Sequence, residues 1–117
     1  MPLYPPSGGG NGSIKAWVTF SSVTPEILAS YNISSYTVIS AGTGIINFLT
    51  PMVDENYSVL VDGANTEGVQ GPFAYINDPD VWQHDVNGFR ISTANVPVGL
   101  DPWYAADNKN VSAVIFR

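Results

Sequence analysis

Apolar and polar residues alternate with a period of two along much of the chain after residue 13. In residues 14–20, the apolar side chains Ile14, Ala16, Val18 and Phe20 occupy alternate positions. This pattern predicts a β-strand with one buried face. Trp17 is three positions from Phe20, an odd separation, and is therefore expected on the opposite face. Shorter runs predict six further strands, at residues 36–39, 45–49, 57–61, 73–76, 88–92 and 111–116.

Turn-forming residues separate these runs. Residues 40–44, Ser-Ala-Gly-Thr-Gly, carry the glycine whose positive φ a hairpin loop needs. Residues 77–80 and 85–88 are typical of turns, and residues 94–110 of a long loop. One segment predicts a different structure: Thr24 as an N-cap and Pro25 at the first helical position favour a helical turn over residues 25–30.

These elements predict an all-β fold, an antiparallel β-sandwich or small barrel of about seven strands. A chain of 117 residues is the right size for one domain, which we assign to residues 14–117. Residues 1–13 form an extended Pro/Gly-rich arm. The arm has two interpretations, a tail without a fixed structure or a docking arm for a neighbouring protein. The docking interpretation depends on Leu3, Tyr4, Pro5 and Pro6 entering a groove on that neighbour.

Three segments are apolar on both faces of their predicted strands, namely residues 45–46, 59–61 and 114–116. A water-facing strand should alternate. Either an inner strand is covered on both sides, or the outward faces pack against sister subunits. Charged residues make up only 12% of the chain, which leaves a sparsely charged surface. We therefore favour a homo-oligomer, and expect a trimer.

Composition excludes several classes of partner. The net charge is −6 with four basic residues, so neither nucleic acid nor anionic lipid is expected to bind. No apolar run approaches the ~20 residues that cross a bilayer, and we expect no membrane insertion. The first residues lack the basic and apolar regions of a signal peptide, which predicts synthesis in the cytoplasm without export. The chain has no cysteine, which excludes disulfides and Cys-ligated zinc.

No set of residues predicts catalysis, a metal site or a cofactor. His84 and Asp85 suggest a proton relay, but adjacent residues on extended backbone point to opposite faces, so we interpret them as turn residues. Asp78 and Asp80 lack the remaining ligands of a calcium loop. We predict that the protein is not an enzyme.

Four residues of the loop-rich second half are candidates for contact with a binding partner: Trp82, His84, Trp103 and Tyr104. Aromatic rings beside turn residues provide flat contact surfaces for sugars or proteins. The alternative is that the large aromatic rings close the end of the core.

The first half of the domain carries a series of short motifs in a fixed order. They are Lys15, Ala16 and Trp17 in a strand ending at Phe20; Ser30, Tyr31, Asn32, Ile33, Ser34 and Ser35; Gly42, Thr43 and Gly44; Asn47 and Phe48; and Asn56 and Tyr57. In this order and spacing the chain resembles a small β-module found in bacteriophage tail-fibre and other virion appendage proteins.

The resemblance implies a virion structural protein, located in the particle and in contact with other virion proteins. The leading hypothesis is a trimeric tail-fibre tip or appendage that binds a host surface polysaccharide or protein. A first alternative is a capsid decoration or cement protein anchored by residues 1–13. A second, from another class, is a small carbohydrate-active or esterase enzyme that uses His84 or a pair of carboxylates.

Overall fold

The computed structural model describes residues 13–63, 70–76, 83–96, 104–105 and 109–117. These residues form ten strands and no helix. The strands are β1 (Ile14–Ser21), β2 (Glu26–Tyr31), β3 (Ile33–Ser40), β4 (Thr43–Phe48), β5 (Ser58–Gly63), β6 (Gln70–Ile76), β7 (His84–Asp85), β8 (Gly88–Val96), β9 (Tyr104–Ala105) and β10 (Val111–Phe116). Each of the seven predicted strands overlaps one of these strands and is confirmed, although the exact bounds differ. Strands β2, β7 and β9 are additional.

Two antiparallel sheets pack together as a small β-sandwich, which confirms the predicted fold class. Sheet 1 has the order β2-β1-β10-β5. Sheet 2 has the order β3-β4-β8-β6, and the short strands β7 and β9 also pair with β8. The β3–β4 hairpin turns at Gly42, whose φ of 74° is the positive value that glycine adopts at little cost. The predicted hairpin glycine is therefore confirmed.

The core lies between the inward faces of the two sheets. Sheet 1 contributes alternate residues of β1 and β10, and sheet 2 contributes Ile46, Phe48, Phe89 and Ile91. Phe20 is 1% exposed, and its ring lies 4.5 Å from that of Tyr36 across the sandwich. Trp17, on the other face of β1, is 38% exposed. The prediction that these two side chains take opposite faces is confirmed.

The helical turn predicted at residues 25–30 is wrong. Residues 26–31 form β2, an edge strand that pairs with β1 from Trp17 to Ser21. Only Ile27 of this strand packs against the core. Because a single helical turn fixes several backbone dihedrals for one hydrogen bond, pairing with an existing strand is the more stable outcome.

The long loop predicted at residues 94–110 is also partly wrong. Strand β8 continues to Val96, where it pairs with β6, and Tyr104 and Ala105 form β9 against Asn95 and Ala94. The turn predicted at residues 85–88 is confirmed, since it joins β7 to β8. In this turn the Asp85 carboxylate accepts a hydrogen bond from the Asn87 backbone N–H at 2.8 Å. The turn predicted at residues 77–80 lies outside the described residues.

Candidate interaction surface

The outward face of sheet 1 carries a row of apolar side chains that crosses all four strands. The register places Trp17 of β1 opposite Tyr31 of β2 and Val114 of β10, and Val114 opposite Leu60 of β5. Residues directly opposite each other in antiparallel strands project from the same face. Tyr31, Trp17, Val114 and Leu60 therefore form a continuous line, which we call the outer row.

The outer row is open to solvent in the isolated subunit. Leu60 is 64% exposed, Tyr31 is also well exposed, and Val114 is half-buried between its neighbours. Beyond the row on one side lie Ile14 and Phe116, which are paired with each other. On the other side lies a polar boundary, where the hydroxyls of Thr19 and Ser112 are 3.2 Å apart. The apolar surface thus extends from the row toward the start of β1.

Part of the outward face of sheet 2 has the opposite character. The Asn47 side-chain amide donates hydrogen bonds to Ser35 Oγ and Thr37 Oγ1, both at 3.0 Å. These polar side chains, on β3 and β4, therefore bond to one another across the strands. Of the three segments predicted to be apolar on both faces, residues 59–61 and 114–116 contribute outward apolar side chains to sheet 1, on β5 and β10. Residues 45–46 lie in β4 of sheet 2, where Ile46 is buried and Ile45 is half-buried.

A cleft of about 600 Å³ adjoins the outer row at the start of β1. It is lined by Ile14, Lys15, Tyr31, Asn32, residues 49–53 and Arg117. Tyr31 belongs to both the outer row and the cleft, so the two surfaces are continuous. Leu49 and Val53 of the far wall are 70% and 84% exposed.

Asn32 builds the corner from which the cleft is formed. It lies between β2 of sheet 1 and β3 of sheet 2, with a left-handed φ of 57°. Asn tolerates this conformation better than other non-glycine residues. Its side-chain Oδ1 accepts a hydrogen bond from Thr50 N at 2.7 Å, and its Nδ2 donates to the carbonyls of Lys15 and Thr50 at 3.2 and 3.1 Å. One amide therefore ties β1, the corner and the far wall together.

An ion pair holds the far wall to the end of β10. Arg117 Nη2 and Nε donate to Asp54 Oδ2 and Oδ1 at 2.7 and 2.9 Å, a two-point contact. The hydrogen bond from Arg117 is the largest cause of a lowered pKa for Asp54, to about 2, and the bond from Asn56 N adds to it. Because the charged form is the one that is bonded, the wall is held most firmly when Asp54 is ionised.

His84 lies near the end of sheet 2, away from the outer row. Its ring stacks on that of Tyr57, with centroids 4.5 Å apart and planes 14° from parallel, and its Nδ1 is buried without a hydrogen-bond partner in the described structure. The Tyr57 hydroxyl donates to the carbonyls of Asp85 and Gly88. Burial, with smaller effects of Asp85 and Glu55, raises the pKa of Tyr57. This arrangement is typical of a packed aromatic pair.

The predicted receptor-binding residues are only partly described. Trp82 and Trp103 lie outside the described residues, as do Leu3, Tyr4, Pro5 and Pro6 of the arm. Tyr104 pairs with Asn95 at one end of β8, and His84 pairs with Phe89 near the other. Six residues of strand separate these positions, roughly 20 Å. The backbones of His84 and Tyr104 therefore pair with distant positions of β8, and the receptor role stays a prediction.

Sequence reasoning missed Tyr31, Leu49 and Val53 as surface-forming residues. Tyr31 ends β2, where the sequence predicts a helical turn over residues 25–30. Leu49 is the last residue of the predicted strand 45–49 but lies beyond β4, which ends at Phe48, and Val53 lies in the connection that follows. The sequence nevertheless carried a signal for Leu49 and Val53, since they are large apolar residues close to the turn-forming residues Pro51 and Asp54.

No protein-family model, no curated protein and no solved structure matches the chain. Among the described residues, no three His, Asp or Glu side chains converge as a metal site would require. The same residues include no helix of the length and apolarity needed to span a membrane.

Proposed function

We propose that this chain is a structural protein of a bacteriophage virion, a tail-fibre tip or appendage whose copies assemble as a trimer through the outer row. The observation that carries the proposal is the position of Trp17, Tyr31 and Leu60. They project together from a regular, hydrogen-bonded sheet. Exposed contiguous apolar surface of this kind is characteristic of protein interfaces.

The motif residues that resemble the virion module support the proposal through their structural roles. Asn32 forms the corner between the sheets, Gly42 turns the hairpin, and Asn47 links β3 to β4. Tyr57 anchors the β7–β8 turn through its hydroxyl. Such residues hold a scaffold, as expected of a module that is reused with different partners.

The enzymatic alternative gains little from the surroundings of His84. Its ring is stacked on Tyr57, and the Asp85 carboxylate accepts hydrogen bonds from Asn87 N and from Gln83 Nε2. Both side chains have roles in the turn that precedes β8. A binding or assembly role for the chain requires neither of them to be reactive.

Assembly through the outer row is tested by substituting Leu60, the most exposed residue of the row, which lies at one end of it. We expect light scattering of the wild-type protein to give a trimer mass that persists into the low micromolar range. Leu60→Lys should shift the mass toward the monomer, because the variant forces a charge into an apolar contact.

Val23 provides a matched control for this variant. It is an exposed apolar residue in the β1–β2 turn, outside the outer row, so Val23→Lys should leave the mass unchanged. A wild-type monomer at all concentrations would overturn the proposed assembly. Labelling this protein in whole particles shows its location. Label on the shell rather than on the tail would favour a capsid decoration protein over a tail appendage.

A further inference from the structure

The cleft beside the outer row is preformed. Leu49 N donates to Asn32 O at 3.1 Å and Met52 N to Val86 O at 2.9 Å, and the Asn32 and Asp54 contacts hold the same segment. The exposed side chains of Leu49 and Val53 are therefore attached to a fixed backbone. An apolar wall that is held rigidly in contact with water is suited to receive an apolar occupant.

The charges of the cleft restrict that occupant. Among the described residues that line it are two cationic side chains, Lys15 and Arg117, and no carboxylate. Arg117 is already paired with Asp54. A segment without basic side chains, carrying aromatic and proline residues, complements Tyr31, Leu49 and Pro51 in the cleft.

Residues 1–12 of this chain have that chemistry, and the structure shows where the chain that follows them enters the domain. They contain no charged side chain and include Leu3, Tyr4, Pro5 and Pro6. Ser13 is fixed at the edge of the cleft, because its carbonyl accepts a hydrogen bond from Arg117 N at 3.2 Å. The next residue, Ile14, lines the cleft itself.

The connection from Pro6 to Ser13 spans seven residues, a reach of ~23 Å when extended and ~15 Å on average for a Gly-rich chain. Ile14 lies beside the outer row. A second copy packed on that row would therefore bring its own residue 13 close to the contact.

We infer that the cleft binds residues 3–6 of the N-terminal arm of a neighbouring copy. The inference rests on the proposed assembly and adds a second contact to it. Each arm would leave its own domain beside the outer row and enter the cleft of the next copy. Two linked contacts of this kind give an assembly firmer than either alone.

The test is a cross-linking experiment on the full-length protein. A photoreactive Tyr4→p-benzoylphenylalanine variant keeps an aromatic ring at position 4. Isotopically heavy and light forms of this variant are dissociated together, allowed to reassociate and irradiated. We expect mass spectrometry to show cross-links from position 4 to residues 49–53 or Tyr31, with heavy–light pairs in the statistical proportion.

Leu49→Asp, added to the photoreactive variant, should abolish these cross-links, whereas the matched Val23→Asp should retain them. Cross-links only between residues of the same isotope label would show that the arm folds back on its own subunit, which overturns the inference. Cross-links elsewhere, or none, would overturn it too. If light scattering still shows a trimer in those cases, the proposed assembly stands alone; a monomer removes both.

Discussion

Trp17 and Phe20 are aromatic residues of the same strand, β1, but their side chains lie on opposite faces of sheet 1. Phe20 is buried against Tyr36, whereas Trp17 lies in the outer row. Phe20→Ala should cost roughly 3–5 kcal/mol of unfolding free energy, the usual range for a large buried aromatic. Trp17→Ala should cost clearly less in the separated subunit and should weaken association instead. Denaturant unfolding in dilute solution, beside light scattering, measures both; equal losses of stability would mean that the outer face is covered.

Asn32 contributes to the fold in two ways, through its left-handed backbone and through the hydrogen bonds of its side chain. Two substitutions distinguish these contributions. Asn32→Gly removes the side-chain bonds to Thr50 and Lys15 but tolerates the left-handed φ. Asn32→Ala loses the bonds and strains the backbone as well. We expect the alanine variant to be less stable than the glycine variant by about 1–2 kcal/mol, the cost of left-handed backbone for an ordinary residue. Urea unfolding of both variants measures the difference, and equal stabilities would contradict this account of the corner.

Among the elements, the connection between β4 and β5 depends on the Asp54–Arg117 ion pair for its attachment to β10. The folded-state pKa of Asp54, about 2, lies below its ordinary value of 3.8. The ion pair therefore stabilises the fold fully above pH ~4, and this contribution is lost as the pH falls from 3.8 through 2.

Asp54→Asn should consequently lower the thermal midpoint at pH 6, and the difference from wild type should shrink toward pH 2. Glu55→Gln is the control, because it removes a neighbouring carboxylate that makes no ion pair with Arg117. Thermal melts of the three proteins across this range test the assignment. A difference that stays constant down to pH 2 would show that the Asp54 charge is not responsible.

At the scale of the whole molecule, host recognition is predicted for a region other than the assembly surface. Sheet 1 supplies the outer row, whereas Trp82 and Trp103 come from the loop-rich second half of the chain. Repetition of a weak site in an oligomer gives firm attachment by avidity. We expect Trp82→Ala or Trp103→Ala to reduce adsorption of labelled protein to host cells without changing the oligomer mass. Normal adsorption by both variants would point to decoration of the particle instead.

The sequence by itself determined the class of fold and most strand positions. The alternation of Ala16, Val18 and Phe20 with Trp17 and Thr19 is a local property, because successive side chains of any strand take opposite faces. The same rule separated Trp17 from Phe20. The glycine of the β3–β4 hairpin was also predictable, since positive φ at Gly42 is a local requirement.

The tertiary structure alone decided which strands are neighbours, and with this the candidate site. In strand β2 only one apolar side chain, Ile27, packs against the core, so its sequence carried little alternation and only pairing with β1 made it a strand. The outer row brings together Tyr31, Trp17, Val114 and Leu60, which are far apart in the sequence. The cleft likewise combines residues from the start, the middle and the end of the domain. Strand register depends on contacts between such distant segments, whereas periodicity reports only which face a residue takes.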